Sequence, residues 1–134
     1  MGIMNAYGFL SVGMGAALGA WLRWWFGIFL NPIFPTIPLG TLSANLLGGF
    51  LMGITMEMLS RHTFLPPEAR LFVATGFLGG LTTFSTFSAE IATLLLRQEY
   101  AWFAVAVSAH LAGSLTMTIL GIYAMKLVLF RGAL

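Results

Sequence analysis

The sequence predicts an all-α integral membrane protein with four transmembrane helices, the third of them broken midway. Three observations predict it. The 134-residue chain is 59% hydrophobic and only 7% charged, where a soluble domain carries about 25% charged residues. Four stretches are each long enough to cross a bilayer, which takes about 20 mostly apolar residues. Within the third, the uncharged run Leu71–Ala89 contains Gly76–Ser88, GFLGGLTTFSTFS, with three glycines and five hydroxyls. Glycine loosens helical backbone, and Ser and Thr offer it competing hydrogen bonds. Broken backbone at membrane depth is tolerated only where protein or a water-filled cavity receives the freed polar groups. The segment therefore points to a path or binding site inside the membrane.

The four stretches form a single membrane domain over residues 1–134, with spans at about 4–29, 38–59, 67–96 and 100–129. The first contains Arg23 and ends at the proline-rich turn from Asn31-Pro32 to Pro38, which a helix cannot cross. The second holds Asn45 midway and Glu57 near its end. Arg61–Leu65 is the next loop. Pro66, Pro67 and Glu68 then make a helix start, with proline in the first turn and an acid facing the dipole. Gln98–Glu99 separates the third and fourth spans so tightly that they must be antiparallel neighbours. The fourth span carries Lys126 near its end.

Composition excludes several classes. The chain has no Asp and no Cys, and its acids are Glu57, Glu68, Glu90 and Glu99. Disulfides and thiolate metal sites are thereby excluded, and two His with no Asp leave too few ligands for a side-chain metal site. The bases are dispersed, so nothing marks a nucleic-acid binder. No nucleophile–base pair can be assembled, which argues against an enzyme. The start of the chain lacks a basic n-region, so no cleaved signal peptide is read there, and Ala6 breaks the myristoylation pattern. With an even number of crossings, Arg61, Arg70, Lys126 and Arg131 fall on one side and Arg23 and Arg97 on the other. That bias suits two arrangements: both termini in the cytoplasm, or insertion in both orientations with antiparallel pairing.

Small residues mark close packing. Gly15-x-x-x-Gly19 and Gly49-x-x-x-Gly53 let helix backbones approach, without naming the partner face. Trp21, Trp24 and Trp25 form an interfacial belt around Arg23, which either snorkels to the surface or draws anions into a vestibule. Thr41, Asn45 and Gly49 share one helical face; the Asn45 amide serves either as interhelical glue or as an N–H donor to a permeating anion. His110, Ser114 and Thr118 form an i, i+4, i+8 stripe in the fourth span, with Ser108 nearby, and no carboxylate is placed to orient the histidine. Phe84 and Phe87 sit among hydroxyls after the expected break, where ring edges can face an anion. Glu90 either pairs with Arg97 or faces an aqueous vestibule.

Three functions compete: an anion channel lined by Asn45, Phe84, Phe87 and hydroxyls, a proton-coupled small exporter of cationic drugs, and a structural membrane subunit. The exporter needs an acid near mid-membrane, and the first span has none. The structural reading leaves Gly76–Ser88 unexplained. The residues Gly19–Trp24, Gly40–Leu42 with Asn45, GFLGGLTTFSTFS with Glu90, and Gly113–Thr118 together resemble the Fluc (CrcB) family of fluoride channels, over essentially the whole chain.

That resemblance implies an antiparallel, dual-topology homodimer in the bacterial inner membrane, with two pores and passive export of fluoride, which enters cells as HF and is trapped as the anion. It implies that Asn45 donates to fluoride, that Phe84 and Phe87 present ring edges, and that Ser114, Thr118 and Thr41 continue a polar track. It places Arg23 and Glu90 near vestibules. It also implies a structural sodium ion at the dimer two-fold, held by the backbone carbonyls of Gly79 and Thr82 from each subunit; a hard cation of this kind takes oxygen ligands. The chain departs from the family pattern in one place. Where other members carry a pore tyrosine or an extra serine early in the fourth helix, it has Ala106 and His110.

Overall fold

A computed structural model describes residues 6–61 and 65–131, with the Arg131 side chain left out; the expected start at Met4 and the middle of the Arg61–Leu65 loop lie outside the described residues. All regular structure in the described residues is helical. Helix α1 spans Ala6–Leu30 and runs into a short 3₁₀ turn, Asn31–Ile33. Helix α2 spans Leu39–Ser60. Its first turn is capped from outside, because the Asn31 side-chain oxygen accepts from the Gly40 N–H at 2.7 Å, meeting one of the donors a helix start leaves unpaired.

Helix α3 begins as Pro67–Arg70, with proline and Glu68 in the first turn as the sequence predicts. It widens into the π-helical stretch Leu71–Leu78 and closes with Gly79–Leu81. After two extended residues, α4 runs over Phe84–Leu96 and α5 over Tyr100–Arg131. The α4–α5 connection is a Schellman turn: Gln98 N–H bonds Leu95 C=O at 3.0 Å and Glu99 N–H bonds Leu94 C=O at 2.9 Å. Its left-handed position is Gln98, with φ 59°, where glycine is the usual residue.

Three segments are long and apolar enough to cross a membrane: Leu39–Ser60, Pro67–Leu96 and Tyr100–Phe130. Helix α1 also has the length, with 25 residues, and Arg23 is its one charged residue. The glycine motifs now have partners. A methyl group on Gly15 or Gly19 would overlap the carbonyl oxygens of Phe72 or Phe77, so α1 lies backbone-close on α3. A methyl on Gly53 would overlap the Thr118 carbonyl, and one on Gly49 would sit 2.9 Å from the Ser114 carbonyl oxygen, so α2 lies equally close on α5. Ala44, Leu78 and Leu81 are fully buried between these pairs, with Leu22, Phe26 and Leu47 packed around them. Outward-facing residues such as Phe9, Trp24 and Leu127 are exposed, as lipid contact requires.

Candidate functional site

The site is built on the break between α3 and α4. Thr82 (φ −82°, ψ 152°) and Thr83 (φ −150°, ψ 118°) are extended, and each hydroxyl is put to local use. Thr82 Oγ1 donates back to the Leu78 carbonyl at 2.8 Å, ending α3. Thr83 Oγ1 accepts from the Thr86 N–H at 3.2 Å, capping α4, and also bonds the Thr86 hydroxyl at 3.1 Å. These hydroxyls read from sequence as pore lining; the threonine cap of α4 was legible in the Thr83-x-x-Thr86 spacing.

Asn45, from α2, clamps the break. Its Oδ1 accepts from the Thr83 N–H at 2.8 Å, and its Nδ2 donates to the Thr83 carbonyl at 3.1 Å. The same Nδ2 lies 3.2 Å from His110 Nδ1, so its second proton is directed at the imidazole. The amide is thus the interhelical tie that its mid-membrane position suggested, and both of its protons are committed to the chain.

Breaking the helix also frees carbonyls. In a continuous helix the Thr83 N–H would go to the Gly79 carbonyl, and the Thr86 N–H to that of Thr82. Here those donors turn to Asn45 and to the Thr83 hydroxyl. Gly79 and Thr82 therefore present carbonyl oxygens without their helical donors. The next carbonyl, Gly80, accepts from Arg23 Nε at 3.0 Å. Sequence placed Arg23 at an interface or vestibule; its bond to a residue so distant in the chain left no local signal.

A groove opens beside the break, lined by Asn45, Thr82, Thr83, Phe84, Phe87, His110, Ser114 and Thr118 among others. It brings together five of the six residues assigned to the fluoride path. Phe87 is buried, whereas Phe84 is 74% exposed; the rings meet edge-on at 5.5 Å and 63°. His110 lies against Phe87 with ring centroids 4.6 Å apart. Thr118 Oγ1 donates to the Ser114 carbonyl at 2.9 Å. Ser108 is elsewhere, in a shallow groove with Ala112 and Thr116.

Thr41, the sixth, is in a neighbouring cavity with Arg23, Thr83 and Thr86. Thr83 borders both spaces and links them. The Thr41 hydroxyl donates to Glu90 Oε1 at 2.5 Å. Glu90 shares a further cavity with Arg97, yet the ion pair present among the described residues is Glu57–Arg61, at 2.6 Å. Polar groups thus run from Ser114 through Thr83 and Thr41 to Glu90. No set of three His, Cys, Asp or Glu that could hold a metal occurs among the described residues.

Residues 10–122 match the family described as CrcB-like protein, Camphor Resistance (CrcB). The chain belongs to the CrcB family. Similar members include the fluoride-specific ion channel FluC of Nitrosospira multiformis, 66% identical over 92% of this chain and 96% of that protein. The FluC proteins of Thiobacillus denitrificans (56% identical, 88% of this chain, 95% of that protein) and Ralstonia nicotianae (54%, 92% and 98%) are also similar. The CrcB match includes the whole broken helix, so the groove, its clamp and its aromatic pair lie inside the family region.

Proposed function

We propose that this chain is a fluoride-specific ion channel that lets fluoride leave the cell passively through the bacterial inner membrane. The observation that carries the reading is the groove at the broken helix, whose lining offers N–H, O–H and phenyl groups and no carboxylate. The fluoride-channel relatives, matched along nearly their whole length, give the anion its name. A bare anion in low dielectric needs such compensation for its lost water. Discrimination against chloride follows from pore width and from donors spaced for the smaller ion. Phe84 and Phe87 present ring edges, while Ser114, Thr118 and Thr41 continue the track toward Glu90. An exporter driven by protons would need an acid in the path, and Glu90 lies outside the groove, bonded to Thr41.

The working unit in this reading is an antiparallel homodimer of four-crossing chains, each a single membrane domain, with two pores. Arg23 and Glu90 stand at vestibules. A sodium ion on the two-fold would be held by the Gly79 and Thr82 carbonyls of each copy, whose helical donors are engaged elsewhere; it would supply structural cohesion.

The test is reconstitution into liposomes loaded with fluoride, with efflux followed by a fluoride electrode. The reading expects fluoride release that tracks the fluoride potential and ignores an imposed proton gradient. Absent efflux, or equal passage of chloride, would sink it. Cross-linking of chains tagged for opposite membrane faces tests the antiparallel pairing.

A further inference from the structure

The connection between α1 and α2 holds an amide that the groove does not use. Asn31 accepts at Oδ1 from the Gly40 N–H, 2.7 Å away. A backbone N–H can only donate, so the oxygen is turned to Gly40 and the amide nitrogen points elsewhere. Packing holds this arrangement. A methyl on Gly40 would overlap the Phe26 carbonyl and would meet Asn31 Oδ1 at 2.6 Å and Gly27 Cα at 2.7 Å. The start of α2 thus lies backbone-close on the end of α1, with the Asn31 side chain fixed between them.

Asn31 Nδ2 makes no hydrogen bond among the described residues. Every buried side-chain nitrogen and oxygen there has a partner, so Nδ2 meets open space. Gly27 shows which space. A methyl on Gly27 would find Asn31 Nδ2 at 3.5 Å and nothing else within 4 Å. The amide nitrogen therefore stands over Gly27, and both line a cavity of about 330 Å³ that also holds Arg23, Thr41 and Thr83. Arg23, Gly27 and Asn31 follow at i, i+4, i+8, which stacks them along one side of α1.

The chemistry of this cavity suits an anion. Its lining has one full charge, the Arg23 guanidinium, and no carboxylate. Thr41 brings the first turn of α2 to it, the positive end of that helix. Gly27 is otherwise without a reason. Glycine weakens a helix, and a methyl there would touch no backbone; it would cover the Asn31 amide.

We infer that Asn31 is an anion-binding residue at the mouth of the path. Its amide N–H replaces a water on the arriving anion, Gly27 keeps the space beneath it open, and Arg23 receives the ion next. The inference rests on the anion-channel reading. Two helical turns, roughly 12 Å of rise, separate Asn31 from Arg23, so the two act in sequence. Thr83 borders both this cavity and the groove, which gives the ion a route onward.

The test is ¹⁵N-asparagine NMR on liposome-reconstituted protein, with the side-chain amides of Asn5, Asn31 and Asn45 assigned through their backbone connectivities. The Asn31 Nδ2 signal should move as sodium fluoride is added and stay in place in equal sodium gluconate. A signal indifferent to fluoride in protein that conducts fluoride overturns the inference. Flux assays separate binding from scaffolding. Asn31→Asp keeps the acceptor for Gly40 and loses the donor, so its melting temperature should stay near wild type while efflux falls. The loss should be roughly tenfold at low fluoride, what one hydrogen bond to a charged partner supplies, and should shrink as fluoride is raised and capture ceases to limit. Gly27→Ala should melt no lower than wild type and show the same concentration dependence. Wild-type efflux at low fluoride in both variants overturns the inference, as does a loss equal at every concentration. If Asn31→Asp does not fold, Gly27→Ala and the spectrum decide. Wild-type protein that conducts no fluoride removes the channel reading instead; Asn31 then stands as an anion site if its signal moves with fluoride and falls if it does not.

Discussion

Arg23 of α1 donates from Nε to the carbonyl of Gly80, 3.0 Å away. That carbonyl belongs to the last turn of α3, where unpaired C=O groups concentrate the negative end of the helix dipole. The guanidinium thus caps a helix that stops halfway along its span, and it couples α1 to the break. Replacing it with leucine should lower the melting temperature of the purified protein. A hydrogen bond from a charged donor is worth about 1.5–3 kcal/mol, and partial exposure puts this one at the lower end. Arg23→Lys should fall between wild type and Arg23→Leu in a thermal melt; equal melting of all three would show that the cap does not matter.

Asn45 holds both backbone groups of Thr83. Asn45→Ala would strand that N–H and C=O at depth, each at a cost of about 1–3 kcal/mol. Asn45→Asp keeps the acceptor but turns the donors into a carboxylate facing the Thr83 carbonyl and the His110 nitrogen. Both variants should lose fluoride flux, with Asp abolishing it, while the size-exclusion profile stays that of the wild type. Full flux from Asn45→Asp would separate the clamp from conduction.

The two phenylalanines should respond differently, because Phe87 is buried and Phe84 is exposed. Phe87→Ala opens a cavity costing about 3 kcal/mol, visible as lowered stability. Phe84→Ile removes little packing within the chain, so stability should hold while fluoride efflux is abolished. Retained efflux in Phe84→Ile takes that ring out of the path.

Much of this was legible in the sequence because hydropathy and glycine spacing are local signals. The spans, the start at Pro67, and the close packing at Gly15, Gly19, Gly49 and Gly53 all follow from residues a few positions apart. The break followed from Gly76–Ser88 alone. What escaped was every choice of partner across the bundle. Nothing near Arg23 names Gly80. Asn45 alone could not reveal that both its protons are spent. His110 looked unoriented because a carboxylate was sought, whereas an amide on the neighbouring helix α2 orients it. Thr41 was grouped with Asn45 by shared helical face, yet one turn is enough to carry it into the next cavity.

Glycine substitutions give an internally controlled test of packing. A methyl on Gly19 would overlap the Phe77 carbonyl, whereas one on Gly13 meets nothing within 4 Å. Gly19→Ala should therefore destabilise by about 1–3 kcal/mol, the usual cost of overpacking. Gly13→Ala should be neutral or stabilising by up to about 1 kcal/mol, since alanine favours helix. Thermal melts of the pair in one detergent compare them directly; equal shifts would contradict the α1–α3 contact.

Gln98 occupies a left-handed position without the freedom of glycine. Such a conformation costs an ordinary residue roughly 1 kcal/mol, so Gln98→Gly should raise stability by about that amount with flux unchanged. A lower melting temperature would mean that the glutamine side chain makes a compensating contact.

The groove lining carries no ionised residue, while the adjoining cavity contains Arg23. Dissolved salt acts on the two differently. Counter-ions screen a fixed charge over a Debye length of about 8 Å at physiological ionic strength, so capture of the anion near Arg23 weakens as the bath becomes more concentrated. Oriented N–H and O–H dipoles at contact distance leave no room for an ion atmosphere. Concentrating an inert electrolyte should therefore slow entry and leave the preference for fluoride over chloride untouched.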